Sequence, residues 1–151
     1  MANTQAICTS FKTELLTGKH NLGVGVIRAA TTADTLKAAL YLASATINAT
    51  TTAYSATGEV TGTGYTAGGI TVTNGTVPSA SGTTAIWTPS ASLAFTSVTL
   101  ATAFDTVLFY NSTQGNKAIS VHTFGSQTVT AGNFTLTMPT NDATNALLRI
   151  A

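Results

Sequence analysis

The feature that most constrains this chain is a period-two alternation that recurs in short runs after Gly25. Leu36, Ala38, Leu40 and Leu42 alternate with Lys37, Ala39 and Tyr41. Successive side chains of an extended backbone point to opposite faces, so this pattern describes a half-buried strand. Similar runs follow at 70–77, 83–88, 93–100, 104–110, 117–124, 127–130, 134–138 and 147–150, and Pro78 and Pro89 stop two of them. Positions 111–116 (Asn-Ser-Thr-Gln-Gly-Asn) form a connecting turn of hairpin type. Eight or nine short strands with turn signals about every 8–12 residues predict a mainly β fold: an antiparallel sandwich, jelly-roll-like, in one domain over 1–151.

The side-chain chemistry agrees. Thr makes up about a fifth of the 151 residues. Its β-branch suits a pleated surface, and its hydroxyl solvates an outer face without charge. Charged residues are only 7% of the chain and the formal net charge is +1, against about 25% charged in an ordinary soluble domain. Six scattered Lys and Arg neutralise too few phosphates for nucleic-acid binding. They are equally few for an anionic membrane surface. No apolar run is long enough for a transmembrane helix, and the opening residues Met1-Ala2-Asn3-Thr4-Gln5 lead into no basic-then-apolar pattern, so no classical signal peptide is expected within the sequence. Cys8 is the single cysteine, so neither an intrachain disulfide nor a cysteine metal cluster is available.

A different period governs the start. Ile7, Phe11 and Leu15 recur at i, i+4 and i+8, which predicts a helix over 4–17 with one apolar stripe. Asn3 or Thr4 would cap it and Gly18 would stop it. A lone helix of this length is marginal in water. The stripe Ile7, Phe11 and Leu15 therefore covers the domain's own core or docks on a neighbour.

Catalytic and cofactor signals are sparse. The five carboxylates, Glu14, Asp34, Glu59, Asp105 and Asp142, form no close pair of the kind acid–base chemistry uses. Two distant His residues and the lack of an H-E-x-x-H pattern leave metal binding unsupported. His122 and Asp105 could meet some Ser in space as a triad; the plainer account puts His122 on a strand face. Gly62, Gly64 and Ala67 match a permissive dinucleotide-binding spacing. That fingerprint must end a strand and open a helix, whereas here the strand-like run 70–73 follows. No catalytic, cofactor-binding or metal residue is expected. Trp87 and Tyr65 are the candidate interface aromatics, able to anchor a protein contact or to stack on a sugar.

Several segments, taken together and in order, carry a resemblance. They are Ser10-Phe11-Lys12-Thr13-Glu14-Leu15-Leu16-Thr17-Gly18-Lys19-His20-Asn21, then Asp34-Thr35-Leu36-Lys37-Ala38-Ala39-Leu40-Tyr41 continuing through Ala49-Thr50-Thr51-Thr52-Ala53-Tyr54 to Glu59-Val60-Thr61-Gly62-Thr63-Gly64-Tyr65 and Gly69. Asn116-Lys117-Ala118, Phe124-Gly125, Ala131-Gly132-Asn133-Phe134, Met138-Pro139-Thr140 and Leu148-Arg149-Ile150-Ala151 complete the set. In these the chain resembles a family of small tailed-bacteriophage virion proteins. The likeness weakens between 83 and 109. It implies a structural component of the virion and no catalytic or binding residues. Two expectations follow. One is a capsid decoration (cement) protein on the major capsid protein, present as a homo-oligomer. The other is a tail or tail-fibre component that contacts host glycan. An enzyme acting on host polysaccharide is the third and least supported.

Overall fold

The computed structural model describes residues 3–8, 10–11, 15, 19–20, 22–23, 33–82 and 84–150. Their strands are β1 (Ala6–Ile7), β2 (Leu36–Leu42), β3 (Ile70–Thr71), β4 (Ser79–Ser81), β5 (Thr84–Trp87), β6 (Leu93–Asn111), β7 (Lys117–Leu136) and β8 (Leu148–Ile150). They form two antiparallel sheets, ordered β1-β7-β6-β2-β3 and β4-β5-β8. The protein is mainly β, as the alternation predicts. A jelly-roll strand order is not shown.

The core strands are those with the cleanest patterning. The half-buried β2 that the alternation predicts is corrected: Ala39 and Tyr41 of its expected open face are buried along with Leu36, Ala38 and Leu40, because β2 lies between β6 and β3 with the 46–69 loop folded over it. Two loop bonds show that cover: Leu42 N donates to Gly58 O and Val60 N to Leu40 O. Trp87 and Leu148 of the smaller sheet belong to the same hydrophobic cluster as the β2 and β6 side chains. One core therefore serves both sheets.

The runs at 93–100 and 104–110 are one strand, and so are those at 117–124, 127–130 and 134–138 up to Leu136. The pair makes a single long ribbon closed by the turn at 112–116, where Gly115 and Asn116 take the left-handed conformation. Bulges explain why the sequence reads as fragments. The register shifts at five places, and three residues of β6, 101–103, stand opposite Thr128 alone. Each extra residue flips the alternation.

The bulges also bend the ribbon. Phe124 and Phe134 lie ten positions apart on one strand, which would separate them by about 33 Å if it were straight. Their ring centroids are 5.4 Å apart. The ribbon is thus folded back on itself, and Phe104 fills the fold, 4.9 Å from Phe134 and 6.0 Å from Phe124, edge-on to both. Phe95 and Tyr65 extend the ring chain at 6.1 and 5.9 Å.

The expected helix over 4–17 is corrected at its start. Ala6 and Ile7 are strand, paired with Val121 and Ser120. Ser10, Phe11 and Leu15 have helical backbone, while Thr9, 12–14 and 16–17 of the expected helix lie outside the described residues. The physical reason is competition. An edge of β7 offers unpaired backbone groups, and β-branched Ile7 gains more from that ladder than from the first turn of a marginal helix. The expected strand at 70–77 is likewise limited to β3.

Phe104 is fully buried. Phe104→Ala should lower the unfolding free energy by about 3–5 kcal/mol, read from urea denaturation. A loss under 1 kcal/mol would show that the bend does not depend on this ring.

Candidate functional site

Two places gather polar chemistry, and a third presents a surface. The first place is a cleft of about 330 Å³ between the edges of the two sheets. Ala6 and Ile7 of β1 and His122 of β7 form one wall, with Gln5 beside them. Thr84 of β5, Arg149 of β8, Leu147 and Ala143 form the other. The second wall is held by a tight turn. The Asp142 carboxylate accepts bonds from the Asn145 side-chain amide at 2.9 and 3.0 Å, the Thr140 hydroxyl at 2.6 Å, and the Asn145 and Thr144 backbone N–H at 2.8 Å. These bonds, those from Asn145 first and then Thr140, hold its carboxyl well below the usual carboxylate range. The Arg149 guanidinium donates to the Thr144 carbonyl and ties β8 to that turn.

His122 and Ser120 share a face of β7, and their Nε2 and Oγ are 3.0 Å apart. The His122 ring stands edge-on to Phe109 at 5.6 Å. Burial pushes its pKa down to about 4, so the imidazole is neutral at pH 7. This pair does not become a triad. Asp105 Oδ1 accepts from the Asn3 side-chain amide at 2.9 Å and from the Thr106 hydroxyl at 2.7 Å. Ser120 is fully buried, so no substrate carbonyl can reach its Oγ. Among the described residues, no three His, Cys, Asp or Glu side chains gather as a metal site.

The second place is a buried carboxylate. Glu59 is 6% exposed, and each of its oxygens is occupied. Oε2 accepts from the Tyr54 hydroxyl at 2.6 Å; Oε1 accepts from the Tyr65 hydroxyl at 2.7 Å and the Gly68 N–H at 2.8 Å. Leu40 N donates to the Tyr65 oxygen at 3.0 Å, and the Tyr110 hydroxyl donates to Gly68 O at 2.7 Å. Tyr54 stacks on Tyr110 at 4.8 Å, and the Tyr41 hydroxyl donates to Ser55 O at 2.6 Å. All four tyrosines of the chain thus pin the 46–69 loop to β2 and β6. Burial, with the Glu59 charge adding to it, raises all four phenols above their ordinary value, Tyr54 to about 12.

Of the aromatics expected at an interface, Trp87 is inside and Tyr65 is half-buried. Trp87 is 2% exposed, and its indole N–H donates to Thr76 O at 3.0 Å. Tyr65 is half-buried against Phe95, with its hydroxyl committed to Glu59. In the N-terminal stripe, Phe11 is fully buried and edge-on to His20 at 4.7 Å, while Ile7 and Leu15 are half-buried against the core. Cys8 is fully buried, and that burial pushes its thiol up to about 11. The glycine-rich segment 62–64 lies on the edge of β6. Thr63 bridges to Thr99, and a Cβ on Gly62 would sit 2.0 Å from Thr99 O. Its glycines permit that close approach, which is a packing use and not a phosphate cradle.

The surface is the outer half of the bent ribbon. Positions 101–103 and 125–128 are exposed in unbroken runs, as are Thr130, Ala131, Asn133 and Thr135. The sequence carries no Asp, Glu, Lys or Arg from 60 to 104 or from 118 to 141. Asp34 and Glu59 are buried as well. What the ribbon presents is hydroxyl, methyl and amide.

Two titrations test these sites. A phenol whose pKa is raised by folding stabilises the protein fully below pH 10, and that stability is lost as pH climbs through the folded value. The native protein should therefore show little tyrosinate absorbance at pH 10 to 11, with ionisation appearing together with unfolding above that. A free-tyrosine curve centred at pH 10 would contradict the Glu59 network. His122 behaves oppositely. Its depressed pKa contributes stability above about pH 6.5 that is lost as pH falls towards about 4. An NMR titration should find the His122 ring neutral at pH 5.5, and a midpoint near 6.5 would show that the ring is solvated.

No protein-family model, curated protein or solved structure matches this chain.

Proposed function

We propose that this chain is a structural protein of a tailed-bacteriophage virion, most specifically a capsid decoration protein that binds and stabilises the assembled head. The sequence resemblance to small phage virion proteins suggests the class. The observation that carries the decoration role is the exposed, uncharged outer half of the β6–β7 ribbon. Copies of a surface without charge pack side by side with little like-charge repulsion. Thr and Asn side chains there can bond a partner's backbone without a large desolvation cost.

In this proposal the two sheets are the layers of a β-sandwich, the partner is the major capsid protein, and the chain is a homo-oligomer without a cofactor. It assembles in the host cytoplasm and acts on the virion. Neither nucleic acid nor a membrane is a partner in this reading, because the six Lys and Arg of the chain are too few and too scattered to meet a row of phosphates or an anionic surface. Stabilisation is a matter of linkage: a protein that binds only the assembled shell favours that shell by mass action. An enzymatic role has little support, because Ser120 is closed off and Asp105 is engaged elsewhere. A tail fibre reading sugars through Trp87 or Tyr65 is also weakened, since Trp87 is buried and the half-buried Tyr65 has its hydroxyl engaged by Glu59.

Copy number is the test. Mass spectrometry of purified particles, scaled to the major capsid protein, should count this polypeptide in the hundreds. A count of a few tens or fewer would move it to the tail or a vertex. Absence from the particle would overturn the virion role altogether.

A further inference from the structure

We infer that the cleft between β1–β7 and β8 is a binding site for the free carboxylate end of an extended peptide. The inference is independent of the virion proposal, which rests on the ribbon. Three observations carry it.

The first is charge. Among the described residues, Arg149 is the only charged side chain lining the cleft. A guanidinium is a planar fork of donors that matches a carboxylate bidentately. Arg149 is already oriented by its bond to the Thr144 carbonyl, in a turn that the Asp142 carboxylate holds rigid. One donor group anchored in this way leaves the rest of the fork less rotamer freedom to lose on binding. Gln5 and Thr84 add neutral donors, and His122, neutral at pH 7, brings polarity without repelling or attracting charge.

The second is shape. Ile7 and Leu147, with Ala6 and Ala143, make the remaining lining apolar. About 330 Å³ holds one aliphatic residue and part of the next. The ligand this describes has a carboxylate on an aliphatic body.

The third is the sheet edge. In the order β4-β5-β8 the strand β8 is terminal, and its Arg149 and Ile150 are exposed, Ile150 by 46%. A terminal strand offers a row of backbone donors and acceptors to an added strand. A peptide whose last side chain fills the apolar pocket, with its carboxylate on Arg149, would run back along that edge. A free small acid would use the guanidinium alone.

The experiment is an NMR titration of the labelled full-length protein with acetyl-Ala-Ala-Leu, its C-terminal carboxamide, and acetate. The peptide acid should bind saturably, with a Kd on the order of millimolar, and shift the amides of Ile7, His122 and Arg149. The carboxamide should bind about ten-fold more weakly or worse. Acetate should not saturate at the same concentrations. Arg149→Gln, an exposed position whose loss spares the core, should keep the wild-type fold by circular dichroism and lose at least about ten-fold in affinity. Equal binding of acid and carboxamide would overturn the inference, as would shifts confined to other surfaces or undiminished binding by Arg149→Gln. Acetate matching the peptide would overturn the peptide part of it.

Discussion

The contact between Phe124 and Phe134, with Phe104 in the angle between them, is the constraint on which the rest of the structure depends. A two-stranded ribbon has no reason to fold back on itself unless both halves bury something in doing so. Here they bury aromatic rings, whose edge-to-face geometry adds to the area they remove from water. The bulges permit the bend, and the rings make it favourable. Once bent, the ribbon supplies the inner side chains Leu93, Phe95, Val98 and Leu100 from one half and Val107, Leu108 and Phe109 from the other. The smaller sheet adds Trp87 and Leu148 to the same core.

A second constraint is electrostatic. The 46–69 loop is rich in Thr, Ala and Gly and has little apolar area to offset the entropy of ordering it. A buried carboxylate with two phenolic donors and a backbone donor supplies what packing cannot. Burying the charge is costly unless every acceptor site is met, so the network is cooperative. Removing one tyrosine hydroxyl leaves a desolvated oxygen behind and costs more than a single bond is worth. The loop is therefore ordered as a unit, and it brings the 62–64 segment onto β6.

How much of this the sequence disclosed depends on the physics behind each element. Strand β2 and the 112–116 turn were readable, because alternation and turn chemistry are local. The ribbon was readable as strand but not as two strands, since bulges erase period two without erasing β structure. Ile7 misled, though Phe11 did not. Spacing of four fits a helical stripe, but the free edge of β7 decides that Ile7 is strand. The cleft was illegible, for Gln5, Thr84, His122 and Arg149 are brought together only by the closing of two sheets. Glu59 left one faint signal, an acid beside a run of 45 uncharged residues that holds one of the four tyrosines. Of the two aromatics expected at an interface, Trp87 is buried in the core, while Tyr65 is half-buried with its hydroxyl on Glu59.

The irregularity of the ribbon has a consequence for solubility. Most sheet proteins guard an exposed edge with lysine or proline, which a passing chain cannot pair against. Between Lys117 and Pro139 this chain has neither. Its guard is geometric. Register slips near 119, 124–126 and 130–131 break the outer edge of β7 into pieces of a few residues. A neutral, Thr-rich strand can then exist at high local concentration without templating fibrils. Straightening the ribbon would strengthen its own ladder and remove that protection.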